Sequence, residues 1–139
     1  MKKNVFNGIT FPPNRPFIKP HEFADGHTLR ILRRTIKEAR DVEVGFLLTF
    51  GPKGVFWQAR PTCYGSPGAC CTRHAAFAEI PHAVVHNHPG VEGNNLFPSN
   101  SDIEVAQRIA NDGVAYYITD NAVSVVRVVI PLCVAWMYR

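Results

Sequence analysis

The chain has 139 residues, 46% of them hydrophobic and 19% charged, with a formal net charge of +4. That length suits one domain with a single core, and that composition excludes a disordered or fibrous chain. The charge is too mild to name a polyanionic partner, and no stretch approaches the ~20 apolar residues needed to span a bilayer.

Residues 1 to 26 carry Pro12, Pro13, Pro16 and Pro20 without hydrophobic periodicity. They read as a proline-rich arm whose Phe11, Phe17 and Phe23 pack on the body, with residues 27 to 139 forming the domain proper. Met1-Lys2-Lys3 is not followed by an apolar signal-peptide core, so the expected location is the cytoplasm. A helix is predicted over residues 28 to 40, where Leu29, Leu32, Ile36 and Ala39 make one apolar stripe. Arg30, Arg33, Arg34, Lys37 and Arg40 lie on the same helix and read as a solvated face, with nucleic acid a minor expectation.

Residues 42 to 50 and 55 to 60 are predicted to pair as a hairpin across Gly51-Pro52-Lys53-Gly54. Glu43 opens the first of these strands, before the apolar run Val44-Gly45-Phe46-Leu47-Leu48. From the residues alone it is an exposed strand-end carboxylate, and Asp41 competes with it from two residues away on the same strand face. Pro61 to Gly68 reads as a loop, and Thr72 to Glu79 as a short helix. Without a secretion signal, Cys63, Cys70, Cys71 and Cys133 read as free thiols. A second zinc site at Cys63, Cys70, Cys71 and His74 is disfavoured, because its spacing matches none of the common paired knuckles.

The next stretch carries the chemistry. Ala83-Val84-Val85 reads as the end of a buried strand leading into His86-Asn87-His88-Pro89. Side chains repeat every two residues along a strand, so His86 and His88 share a face and Asn87 points away, where it would buttress the loop. Pro89 ends the strand because it cannot donate to a ladder. A helix is then predicted over residues 101 to 111, with Ser99 at its N-cap and Asp102 in its first turn. A carboxylate fixed there could join the two imidazoles as a third metal ligand. Three protein ligands leave a fourth tetrahedral position for water, which distinguishes a catalytic zinc site from a structural one. Taken singly, a His-x-His pair is weak evidence, and Ser-x-x-Asp is more often a plain cap. His74 and His82 read as structural. The chain closes with strands over 114 to 119 and 122 to 129 paired across Asp120-Asn121, and an edge strand over 132 to 138.

Taken together, Glu43, His86, His88, Pro89, Ser99 and Asp102 resemble the motif of the JAMM/MPN+ metalloproteases and the related RadC-type domains. The run His86-Asn87-His88-Pro89-Gly90 followed by Pro98-Ser99 looks especially like the RadC branch. The resemblance covers about residues 28 to 129 and departs from the family in two places. Nine residues separate Pro89 from Ser99 where the family usually has six or seven, and Glu43 lies two residues before Gly45 where the family usually has three.

This resemblance implies an α/β fold of the JAB1/MPN kind, a single cytidine-deaminase-like domain with a mixed β-sheet flanked by helices. It implies Zn²⁺ held by His86, His88 and Asp102, with Glu43 as general base and Ser99 donating to the oxyanion. The activity implied is hydrolysis of an isopeptide or peptide bond after the C-terminal glycines of a ubiquitin-like protein, which would be the partner. Two alternatives stand beside it: a RadC-like metal-dependent domain acting in DNA transactions, and a non-catalytic scaffold that holds zinc.

Overall fold

Val44–Phe50 is apolar at nearly every position, the pattern of a strand covered on both faces. The computed structural model, which describes residues 4–6, 9–11, 17–65, 82–91 and 95–129, places it inside a six-stranded sheet. In chain order the elements are β1 (Asn4–Phe6), β2 (Ile9–Phe11), β3 (Phe17–Ile18), α1 (Pro20–Phe23), α2 (Gly26–Ala39), β4 (Val44–Phe50), β5 (Phe56–Tyr64), β6 (Ala83–Asn87), α3 (Asn100–Ala110), β7 (Ala115–Thr119) and β8 (Val126–Val128). β1 and β2 pair with each other, and the main sheet runs β3-β8-β7-β6-β4-β5. β6 and β7 are parallel, and the other neighbours are antiparallel. A parallel pair needs a crossover, and α3 supplies it. The architecture is therefore mixed α/β, as the sequence implies.

Alternation along the strands divides the core between the two faces. On one face Phe46, Leu48, Val85 and Tyr117 pack with Leu29, Leu32 and Ile36 of α2. On the other, Leu47, Val84, Tyr116 and Ile118 pack with Ala106 and Ile109 of α3. The proline-rich N-terminal stretch contributes Phe17–Ile18 as a strand on β8, and Phe23 is buried in the α2-side core.

Several boundaries differ from those expected, each for a local reason. α2 begins at Gly26 because the Asp25 carboxylate caps it, accepting from the Thr28 amide at 2.9 Å. It ends where Arg40 and Asp41 take positive φ values of 53° and 58°. That left-handed turn removes Asp41 from the path of β4, so it does not share a strand face with Glu43. Pro61 to Tyr64, expected as loop, continues β5. A proline is tolerated there because β5 is the last strand of the sheet among the described residues, and the register shift opposite Gly45 and Phe46 makes a bulge at Thr62.

The last described strand is shorter than expected. The Asp120 carboxylate accepts from the Ser124 amide at 2.8 Å and from its hydroxyl, folding residues 120 to 125 into a turn in which Val123 has a φ of 49°. The expected helix at 72 to 79 and strand at 132 to 138 lie outside the described residues. Among those described, no helix is long and apolar enough to cross a membrane.

Candidate metal centre

The C-terminal end of β6 and the N-terminus of α3 meet where the parallel strands open, the usual place for a site in such sheets. Gly45 lies opposite His86 in the β4–β6 register. Two-residue alternation then puts Glu43, Gly45 and Leu47 on the same face as Val84 and His86. The unexpected two-residue spacing from Glu43 to Gly45 is thus what aims the carboxylate at the histidines.

His86 and His88 bring their Nε2 atoms to 3.0 Å from one another. Asp102 reaches both: its Oδ1 is 3.2 Å from His86 Nε2, and its Oδ2 is 3.2 Å from His88 Nε2. Glu43 Oε1 stands 4.0 Å from His86 Nε2. Glu43, His86 and His88 each offer a ligand atom, all within 4.8 Å of one another, so the group could bind a metal ion. An ion with tetrahedral bonds of about 2.0–2.1 Å has edges of about 3.3 Å between its ligand atoms. The separation of the two imidazole nitrogens, and of each from the nearer Asp102 oxygen, is close to that edge, with Asp102 turning a different oxygen to each histidine. Glu43 is farther from His86 than such an edge, at a distance suited to a contact through water. The donor set of two imidazoles and carboxylates suits a borderline divalent ion.

Asp102 is gripped from several sides. Its Oδ2 accepts from the Ser99 amide at 2.8 Å while Ser99 Oγ accepts from the Asp102 amide at 3.2 Å, a reciprocal cap on α3. Burial works to raise its pKa, but hydrogen bonds from His86, His88 and the Ser99 amide outweigh that and hold the carboxyl well below the usual range. Glu43 goes the other way: burial raises its pKa, and nearby His86 and His88 offset this only in part. The exposed Ser99 hydroxyl is an acceptor in the cap, which leaves its own proton available to a ligand.

Tyr116 was not singled out by sequence reasoning. Its buried hydroxyl bonds His86 Nδ1 at 2.9 Å and donates to Asp102 Oδ1 at 3.1 Å. Because the Tyr116 hydroxyl gives its proton to Asp102, it can accept from His86 Nδ1–H, and that would leave the Nε2 lone pair free for an ion when one replaces the hydrogen bond to Asp102. The signal lay in the pairing of Val84 with Tyr116, which puts the tyrosine two positions from His86 on the same face. Asn87 does point away from the histidines as expected. Its amide holds the backbone on both sides of Glu43, accepting from Val44 N at 2.7 Å and donating to Val42 O at 3.1 Å. His82 is structural, its Nδ1 accepting from the Phe50 amide at 2.7 Å.

Beside the site lies a cleft of about 740 Å³, lined in part by Asp41, Gly90, Asn95 and Asn121. Its rim loop is anchored by Arg127, which donates to Leu96 O at 3.0 Å and sits 5.3 Å from the ring centres of both Phe17 and Phe97. Cys70, Cys71, Cys133 and His74 lie outside the described residues, so the disfavoured second zinc site has no geometry to report. Compared with known proteins, the chain matches no family model and no curated protein.

Proposed function

We propose that this chain is a zinc-dependent hydrolase of the JAMM/MPN+ type, with a JAB1/MPN fold. Its substrate would be the amide bond that follows the C-terminal glycines of a ubiquitin-like protein. The observation that carries this reading is the convergence of two imidazoles, 3.0 Å apart, on the Asp102 carboxylate, which sets one oxygen 3.2 Å from each, with a second, buried carboxylate just beyond. Those residues belong to the motif on which the sequence resemblance rests.

His86, His88 and Asp102 would hold the ion. Zn²⁺ in that place supplies a Lewis acid and lowers the pKa of water towards neutrality. Glu43 is the base: its carboxylate takes the proton from the attacking water and delivers it to the departing nitrogen. The burial that raises its pKa favours the first half of that exchange, because a more basic carboxylate takes the proton from water more readily. Ser99 directs its hydroxyl proton at the oxygen that becomes negative when the carbonyl turns tetrahedral. Tyr116 keeps His86 and Asp102 in register. A glycine-ended tail suits a narrow approach, since it brings no side chain to the scissile bond.

A role on DNA has less support. The cations Arg30, Arg34 and Lys37 are exposed, but they ride on α2, which packs on the sheet face opposite His86 and α3.

The test is cleavage of a Gly-Gly-linked ubiquitin-like fusion by wild type and Glu43→Gln, with zinc measured in both. Loss of general-base assistance should slow turnover about 10²–10⁴-fold while zinc stays bound. Wild type that holds zinc yet cuts none of a panel of such fusions removes the isopeptidase reading. Wild type that binds no metal removes the whole of it.

A further inference from the structure

Glu43 stands outside the regular ladder. It follows two left-handed residues, Arg40 and Asp41, and precedes the first residue of β4. What fixes its backbone comes from elsewhere. Its carbonyl accepts from Gly65 N at 2.8 Å. The flanking groups, Val42 C=O and Val44 N–H, are both taken by the side chain of Asn87, at 3.1 and 2.7 Å. Asn87 is 0% exposed, and its Nδ2 also donates to Asn121 Oδ1 at 2.7 Å, on the turn that lines the cleft.

We infer that Asn87 is the positioning residue for Glu43: its carboxamide, carried by the residue between the two histidines in sequence and turned away from them, fixes how far the carboxylate stands from the metal-binding atoms. The function of Glu43 rests on the reading given above, but the geometry of the grip does not. Only a primary carboxamide meets the demand, because one planar group must accept from one peptide and donate to the next. Aspartate keeps the acceptor for Val44 and turns a negative oxygen on Val42 C=O and Asn121 Oδ1. Alanine leaves a buried peptide N–H and C=O without this partner. Asn87 shares β6 with His86, so the histidine and the base are indexed to the same two-residue step of one strand.

The test uses the zinc-loaded full chain with Asn87→Ala and Asn87→Asp, each alone and in a Glu43→Gln background. Asn87→Ala should keep its zinc, exchange the Val44 amide hydrogen at least tenfold faster than wild type, and show Glu43 Oε1 beyond 4.0 Å from His86 in a crystal structure. On a Gly-Gly-linked fusion, kcat should fall about 10–100-fold with KM nearly unchanged, as for other residues that orient a metal site from behind. Added to Glu43→Gln, the same change should cost almost nothing more, because the two act through one carboxylate. Asn87→Asp retains one of the three bonds but sets a buried negative oxygen against two acceptors, so it should give a loss of the same kind at least as large, and Asn87→Ser, small and uncharged, carries the test if neither variant folds.

A crystal structure of any of these variants with Glu43 in its wild-type place overturns the inference. So does a loss that adds in full to Glu43→Gln. If wild type cuts no fusion, the proposed function fails, while amide exchange and the Glu43–His86 distance still decide the positioning role.

Discussion

Tyr116 and Tyr117 are neighbours on β7, and the strand's alternation sends them to opposite faces of the sheet. Tyr117 joins Phe23 and Phe56 on the α2 side, in edge-to-face contacts with ring centres 4.9 and 5.8 Å away. Tyr116 turns to the α3 side and hydrogen-bonds His86 and Asp102. The first environment is built from apolar area, where each ring pair adds on the order of 0.5–1.5 kcal/mol beyond burial. The second is built from polar atoms taken out of water, which stabilise the fold only where every one finds a partner. Both faces carry apolar core, but only the α3 side also carries the polar site, at some cost to the fold.

That division can be broken from either side. Phe56→Ala should remove about 3–5 kcal/mol of stability, as large-to-small changes at buried aromatic positions do, while zinc stoichiometry in the folded fraction stays at the wild-type value. Denaturant melts with metal analysis would expose any coupling between the faces. Ser99→Ala should weaken transition-state stabilisation by about 2.7–4 kcal/mol. Its separate effect on the helix cap should be about 1 kcal/mol, so kcat and melting temperature distinguish the two jobs of one hydroxyl. Tyr116→Phe keeps the ring and deletes only the hydroxyl, so zinc affinity should drop about 10–100-fold, with about 1–3 kcal/mol of stability lost because His86 Nδ1 is left buried without that partner. An unchanged zinc affinity would mean that Tyr116 does not orient His86.

The smallest effect is in the pH dependence of the metal-free protein, where the two carboxyls of the site should act in opposite senses. Glu43 has a folded pKa raised by burial, so the folded chain keeps a proton that the unfolded chain has released. The stability tied to it is full below the ordinary carboxylate range and is lost as pH rises through the folded value. Asp102 is depressed: its stability is present above that range and is lost as pH falls through its lower folded value. Metal-free Glu43→Gln should therefore melt higher than wild type near neutrality, and Asp102→Asn lower. Both differences should shrink in acid, and melting curves that stay parallel across the pH range would contradict the assignment.

Much of the site was legible because its parts are local. His86 and His88 share a face by strand alternation, and Ser99 with Asp102 form a cap that can be read from four consecutive residues. What could not be read depends on pairing between distant segments. Tyr116 reaches His86 only because β6 and β7 run parallel in one particular register. Asn87 reaches Val42 and Val44 only because β4 lies antiparallel beside β6. Asp41 looked equivalent to Glu43 until two left-handed residues took it off the strand. Pro61 hid the second half of β5, since composition alone does not reveal that the strand is the last of the sheet among the described residues.

The nine residues between Pro89 and Ser99 bring one more consequence, through Arg127. Leu96 is 0% exposed, and its carbonyl is tied to a guanidinium that also rests against Phe17 of β3. A tether at that point divides one long span into two short ones. The closure entropy of a loop grows only with the logarithm of its length, so closing two spans costs more than closing one, and the guanidinium contact and the burial of Leu96 must offset the difference. The added length is in this way held to the body at Leu96, next to the cleft that Gly90 and Asn95 line.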